Sequence, residues 1–147
     1  MNKKLIGIWL RKNIFYLESY SQTTDGIWTS TYRTDAHVVK MEDIDDLEKT
    51  LIKVLEESQV AIRPLPLSES ATNRKKFLAF VKAKSENDLM KTSKSMSIYV
   101  QGEKVTITPD KYNGKSLKPE LNKAIESNLD PKQLAQDVLK AFEITNT

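Results

Sequence analysis

The chain has 147 residues, which fits a single domain over residues 1–147 that is large enough to bury a core without disulfides or metal. It has no cysteine, which excludes disulfides, thiolate nucleophiles and cysteine zinc sites and suits a reducing compartment. No stretch approaches the roughly 18 apolar residues of a membrane span. The apolar start is interrupted by Arg11 and Lys12 with no small-residue cleavage site after it, so we expect a cytoplasmic protein without a membrane partner.

Charge is distributed unevenly along the chain, although the net charge is only +3. Residues 41–58 carry two lysines against seven acids, a net charge of −5. Residues 59–100 carry eight Lys/Arg against three acids, a net charge of +5. A local excess of charge bears on which partners a protein binds and how fast it associates with them, and it does not determine the fold.

The first forty residues predict an antiparallel meander. Segments rich in β-branched and aromatic residues alternate with turn signals at Lys12-Asn13 and at Asp25-Gly26. They predict three strands, with a short fourth strand or an extended lead into the next helix, at residues 4–11, 13–20, 27–33 and 37–41.

A strongly acidic helix follows the meander. Asp43 is a favoured N-cap, and Asp45 and Asp46 fall in the first turn, where the helix dipole favours negative charge. Apolar residues then recur at helical spacing, at Leu47, Leu51, Ile52, Val54 and Leu55.

The middle of the chain predicts a loop and two shorter helices. Two prolines in residues 63–70 indicate a connecting loop. Residues 71–84 have the spacing of an amphipathic helix. In residues 85–95, Ser85 and Asp88 form a variant capping box that begins one or two further turns of helix.

The last third predicts a hairpin and a closing helix. Residues 95–109 alternate in two runs around Gly102-Glu103, and glycine at the first central position is typical of a type II′ turn. Asn113-Gly114 indicates another turn, and we expect an edge strand over 121–126. Asp130-Pro131 has the favoured order of N-cap and first helical residue.

These elements predict an α+β fold, with an antiparallel sheet of about five to seven strands and helices packed on one face. The stretches "EDIDDLEKTLIKVL" (42–55) and "LDPKQLAQDVLKAF" (129–142) place their apolar residues at the same positions. The match predicts two helices that each lay an apolar face on the sheet, and it is consistent with a weak internal β-α repeat.

Catalytic chemistry has little material in this sequence. His37 is the only histidine, and its surroundings match no catalytic motif, so a structural role is the simpler interpretation. Asp43, Asp45 and Asp46 could form a carboxylate Mg²⁺ site, but helix capping and the helix dipole already explain them. The four glycines form no phosphate loop. We expect no enzyme, metal or cofactor, and an enzyme with an unrecognised carboxylate site is a remaining alternative.

Two surfaces are candidates for binding a macromolecule. Trp28 and Tyr32 share one face of the third strand, which makes an exposed aromatic patch for a protein partner conceivable. A basic stretch, with Tyr99 on a nearby strand, supports an alternative hypothesis, that the chain is a small nucleic-acid-binding accessory protein. The simpler interpretation is that these bases form the solvated face of a helix. The bases of this stretch are Arg74, Lys75, Lys76, Lys82, Lys84, Lys91 and Lys94.

Three stretches resemble the immunity proteins of bacterial contact-dependent growth inhibition systems. "IWLRKNIFYLESYSQTTDGIW" is similar to the opening hairpin of that family, and "EDIDDLEKTLIKVLEES" is similar to the acidic helix that follows it. The third stretch runs from "SKSMSIYVQGEKVTITPDKYNG" to "LDPKQLAQDVLKAF" and resembles the terminal hairpin and closing helix. Ala135 stands where the family pattern often has glycine, and residues 64–84 match only loosely.

The resemblance implies a non-enzymatic cytoplasmic protein that binds the C-terminal toxin domain of a large secreted effector and neutralises it. Such toxins are often nucleases, whose phosphate-binding clefts are basic, so an acidic surface is a candidate contact. We therefore predict a toxin-binding surface made of the acidic helix start and the aromatic patch, at Glu42, Asp43, Asp45, Asp46, Glu48, Trp28 and Tyr32.

Overall fold

The computed structural model describes residues 3–30, 37–64 and 67–144, and Tyr32 lies outside these ranges. Within them, the chain forms eight strands: β1 (Lys3–Arg11), β2 (Ile14–Gln22), β3 (Trp28–Ser30), β4 (His37–Lys40), β5 (Lys94–Gln101), β6 (Lys104–Tyr112), β7 (Leu117–Pro119) and β8 (Ile125–Ser127). It forms four α-helices: α1 (Ile44–Glu57), α2 (Leu67–Phe80), α3 (Glu86–Thr92) and α4 (Pro131–Ile144).

The strands of the described residues form one antiparallel sheet with the order β3-β2-β1-β5-β6-β7. β4 also pairs with β2, and β8 also pairs with β6. The two long hairpins turn at the predicted places. Lys12 and Asn13 both have positive φ, 50° and 65°, as a type I′ turn requires. Gly102 has a φ of 63°, as glycine at the first position of a type II′ turn requires. The predicted α+β class and meander are confirmed.

One face of the sheet carries the main core, and α1 and α4 pack on it. Side chains alternate along β1 and β2, so Ile8 and its partner Leu17 point to this face. The apolar stripes of α1 and α4 complete a single buried cluster, to which the helices contribute Leu47, Leu51, Val54, Leu55, Leu134, Ala135, Val138, Ala141 and Phe142. We call this side of the sheet the α1/α4 face.

The prediction that helices share one face holds for α1 and α4, whereas α2 and α3 lie on the opposite side. Trp9 and its partner Tyr16 point away from the main core. They form a second cluster with Phe77, Val81 and Leu89 from α2, the turn after it and α3. We call this side the α2/α3 face. The sequence does not show this second face, because Trp9 and Tyr16 stand in the apolar runs 5–10 and 14–17, in which no polar residues alternate with apolar ones.

Arg11 connects the second cluster to the sheet. Its side chain is only 5% exposed. It donates to the backbone oxygens of Val81 and Lys82 at 3.0 Å each, to the hydroxyl of Thr92, and it lies 3.6 Å from the Asp88 carboxylate. The oxygens of Val81 and Lys82 lie at the C-terminal end of α2, where a cation is favourable. One buried guanidinium therefore holds the end of α2 and α3 to the sheet.

Three expected boundaries were wrong. Residues 63–70 are not all loop, since α2 begins at Leu67, directly after Pro66 in the sequence. The helix expected over 71–84 ends at Phe80. A single strand over 121–126 was also expected, but Leu121–Lys123 forms a 3₁₀ turn between β7 and β8. Two short strands, β7 and β8, flank this turn, and they bring the described sheet to eight strands, one more than the expected upper number.

The three predicted helix N-caps are confirmed. Asp43 accepts a hydrogen bond from the backbone N–H of Asp46 at 3.1 Å, and Asp130 accepts one from that of Gln133 at 3.1 Å. Ser85 caps α3 through the N–H of Asp88, also at 3.1 Å. The helices α1 and α4 pack beside each other, and each follows a short strand. This arrangement is what a β-α repeat would produce.

Candidate functional site

The predicted acidic residues gather at the start of α1. Glu42, Asp43 and Asp45 are exposed, and Asp46 and Glu48 are half-buried. Asp43 serves as the N-cap, and Asp46 accepts a hydrogen bond from the Thr50 hydroxyl at 3.3 Å. The described residues contain no group of three or more side chains arranged to hold a metal ion. The acids therefore form a solvated anionic surface in which two members also stabilise the helix.

Trp28, the aromatic member of the predicted site, lies far from these acids in the sheet. It pairs with Gln22 at the end of β2, and its ring meets that of Tyr99 edge-on, with centroids 6.3 Å apart. By strand alternation both rings belong to the α2/α3 face, whereas α1 packs on the opposite face. The structure therefore does not bring Trp28 and the acidic residues together, and Tyr32 lies outside the described residues.

His37 has a structural partner at the other end of α1. Its Nε2 lies 2.9 Å and 3.0 Å from the two carboxylate oxygens of Glu57. Because His37 is on β4 and Glu57 is the last residue of α1, the contact ties the edge of the sheet to the helix C-terminus. This geometry supports the structural interpretation of the only histidine, and it occupies one of the acids of α1.

Two members of the predicted basic and aromatic surface, Arg74 and Tyr99, have partners within the fold. Arg74 pairs with Glu86 and also lies over the ring of Phe77, 5.3 Å from its centroid. Five lysines of this stretch, Lys75, Lys76, Lys82, Lys84 and Lys91, are exposed on α2, α3 and the turn between them. Tyr99 instead packs against Trp28, four residues along β5 from Ser95. Arg74 and Tyr99 are therefore engaged within the fold, and the exposed lysines are the residues that remain for the nucleic-acid-binding alternative.

A buried polar cluster on the α2/α3 face was missed by the sequence analysis. Glu18 is buried, and its carboxylate accepts hydrogen bonds from the Trp9 indole at 3.3 Å and from the Tyr20 hydroxyl at 2.8 Å. The Tyr20 ring lies over Gly7, where an added Cβ would come within 2.9 Å of it. The signal in the sequence was the glycine inside a strand, which often marks such a close approach.

A second missed group is Asp110, in a cavity of about 220 Å³ between α3 and β6. Burial raises the pKa of its carboxyl, and the hydrogen bond from the Ser95 hydroxyl, 2.7 Å long, opposes that rise. The sequence offered no signal for this pair because the partners are fifteen residues apart on neighbouring strands.

A larger groove of about 440 Å³ lies at the end of the sheet where β1 turns into β2. The turn, Met41 directly after β4 and the junction of α3 with β5 form its walls. Its lining residues are Leu10, Lys12, Asn13, Met41, Lys91, Thr92, Ser93 and Lys94. It adjoins the acidic start of α1 through Met41.

The helices of the described residues are too short or too polar to cross a membrane. No family model matches the chain, and no curated protein matches its sequence.

Two solved structures share the fold over nearly the full length of both chains. The first is a protein of unknown function from Neisseria meningitidis, with 14% identity, a TM-score of 0.81, and coverage of 99% of this chain and 96% of that one. The second is a chain of the CdiA-CT/CdiI toxin and immunity complex from Yersinia pseudotuberculosis, with 14% identity, a TM-score of 0.75, and coverage of 97% of each chain. The chain therefore shares its fold with a component of a bacterial toxin and immunity complex.

Proposed function

We propose that this chain is an immunity protein that binds the C-terminal toxin domain of a contact-dependent growth inhibition effector and neutralises it in the cytoplasm. The observation that carries the proposal is the likeness of fold to a chain of a toxin and immunity complex, which extends over 97% of both chains. The sequence resemblance in three separate stretches supports the immunity role within such a complex.

The proposed action is binding and not catalysis. The only histidine is held by Glu57, and the described residues contain no cluster of potential metal ligands. An inhibitor of this kind needs a rigid scaffold with a complementary surface, and no cofactor. The scaffold is supplied by the sheet and the cluster of buried residues beneath α1 and α4.

We further propose that the toxin is a nuclease and that the acidic start of α1 contacts it. The motivating feature is local charge, because residues 41–48 contain five acids and no Lys or Arg. A nuclease cleft attracts phosphate with positive charge, so an acidic surface can steer association and occupy the cleft. Trp28, together with Tyr32 from the sequence alone, is the alternative contact, on the other face of the sheet.

The test uses the long effector gene expected to adjoin this reading frame. Expressing its C-terminal domain in a host cell is expected to stop growth, and co-expression of this chain is expected to restore it. The purified domains are expected to form a stoichiometric complex, in which the cleavage of RNA or DNA by the toxin domain ceases. Continued growth arrest despite high expression of this chain would overturn the immunity proposal.

A salt titration separates this proposal from the nucleic-acid-binding alternative. An accessory protein of that kind binds random DNA or RNA at micromolar concentration, with an affinity that falls steeply as salt rises. We expect no such binding, because Arg74 is engaged with Glu86 and Tyr99 packs against Trp28.

A further inference from the structure

The apolar stripe of α1 extends beyond the end of the sheet. Ile44 lies three residues before Leu47 and so on the same side of the helix. Nevertheless Ile44 is 46% exposed and Leu47 is 1% exposed. The backbone N–H of Met41 donates to the oxygen of Asn13 at 3.0 Å, in the turn that ends β1 and β2. Ile44, the first residue of the stripe, therefore lies beside the end of the sheet, and its side chain is only partly covered by other residues.

Met41 adds a second apolar side chain at the same corner. It is 43% exposed and lines the groove of about 440 Å³, together with Leu10. Seven large hydrophobic side chains are exposed among the described residues, and two of them, Met41 and Ile44, fall within the four positions 41–44. We name Met41, Ile44 and this groove the overhang.

Charge divides the two sides of the overhang. On the helix side lie the exposed carboxylates of Glu42, Asp43 and Asp45. On the far wall of the groove lie lysines from the β1–β2 turn and from the junction of α3 with β5: Lys12, Lys91 and Lys94. An apolar centre with a charged rim is the arrangement in which a few buried side chains carry most of the binding energy.

We propose that the overhang receives an apolar side chain of the toxin domain, and that basic residues next to that side chain meet the carboxylates on the helix side. This inference rests on the proposed immunity function and adds the place and the chemistry of the contact. The occupant is a protein surface with a projecting apolar residue and flanking Lys or Arg. Binding removes Ile44 and Met41 from water, which supplies affinity, and the charges supply orientation and association rate.

The test measures binding of the purified toxin domain from the adjoining gene to variants of the full chain. Met41→Ser combined with Ile44→Ser is expected to weaken binding at least about tenfold, mainly through faster dissociation. Val38→Ser is the matched control, because Val38 is 44% exposed but points to the α2/α3 face through its pairing with Tyr16. Its affinity is expected to stay within about twofold of the wild type.

Charge variants provide an independent measurement that does not alter the apolar contact. Glu42→Lys combined with Asp45→Lys is expected to slow association and to reduce its dependence on salt. Lys12→Glu combined with Lys91→Glu, on the far wall of the groove, is expected to leave association as fast or faster. The thermal unfolding midpoint of each variant checks that it is folded.

The outcomes separate the two proposals. If the wild-type chain does not bind the toxin domain, the immunity function fails and the overhang contact fails with it. If the wild type binds and both the apolar and the acidic variants keep its affinity, only the overhang contact is overturned. A wild-type dimer that the Met41/Ile44 variant dissociates, with toxin binding unchanged, would assign the overhang to a second copy and also overturn it.

Discussion

The two faces of the sheet are built in different ways. The α1/α4 face holds a continuous apolar cluster. Its buried residues come from the two helices α1 and α4 and from five strands. The α2/α3 face holds a small aromatic cluster and depends on polar contacts of Arg11 and Glu18. Apolar burial therefore stabilises the first face as a unit, whereas directed hydrogen bonds position the second.

The largest expected effect comes from the α1/α4 face. Leu51 is fully buried in the middle of α1, so Leu51→Ala removes apolar contacts and leaves a cavity. We expect a loss of about 3 kcal/mol in the free energy of unfolding, measured by chemical denaturation. Leu129→Ala is the control, because Leu129 is 45% exposed and lies outside the buried cluster, and its cost is expected to stay under about 0.5 kcal/mol. Equal losses for the two variants would contradict the assignment of the core.

A smaller and more local effect is expected on the α2/α3 face. Arg11→Met keeps much of the side-chain volume but leaves the oxygens of Val81 and Lys82 without their donor, at a cost of about 2 kcal/mol. Hydrogen exchange is expected to accelerate in α2 and α3 more than in β1 and β5. Lys12→Met, at the exposed neighbouring position, is the control. Uniform acceleration across the whole chain would show that the two faces unfold together.

The smallest effect concerns Asp110, whose pKa burial raises above its ordinary value of 3.8. In the pH range between the ordinary value and the raised one, the folded state binds more protons than the unfolded state, so stability falls as the pH rises. Asp110→Asn is expected to remove this part of the pH dependence. The measurement is the unfolding midpoint at pH values from about 3 to 7, which bracket the ordinary pKa range of carboxyl groups. Lys91, Lys94, Lys111 and Glu120 line the same cavity and are unchanged in the variant. An unaltered pH profile would contradict the contribution of Asp110.

Local signals in the sequence predicted most of the fold. The turns at Lys12-Asn13 and Gly102, and the caps at Asp43 and Asp130, depend on residues next to one another, so their chemistry is visible in a single stretch. The end of α2 was not predictable in this way. Lys82 adopts a positive φ of 62° and closes a Schellman motif through the bond from the Ala83 N–H to the Leu78 oxygen, without the glycine that usually marks it.

Long-range arrangement limited the prediction of the candidate site. The acidic residues were identified because they are consecutive, and the structure keeps them together at the start of α1. Trp28 was grouped with them, although strand order and alternation place it on the other face. The groove at Met41 was not predictable, because three segments that are distant in the chain, 10–13, 41 and 91–94, form its walls.

The most direct test of the account is a hydrogen–deuterium exchange comparison of the chain alone and in complex with the toxin domain from the adjoining gene. The account predicts slower exchange in the complex at residues 41–49 and 91–94, which surround the overhang. It predicts no change at Trp28 or Tyr99, on the other face of the sheet. Slower exchange confined to the strands that carry Trp28 and Tyr99, with residues 41–49 unaffected, would contradict it.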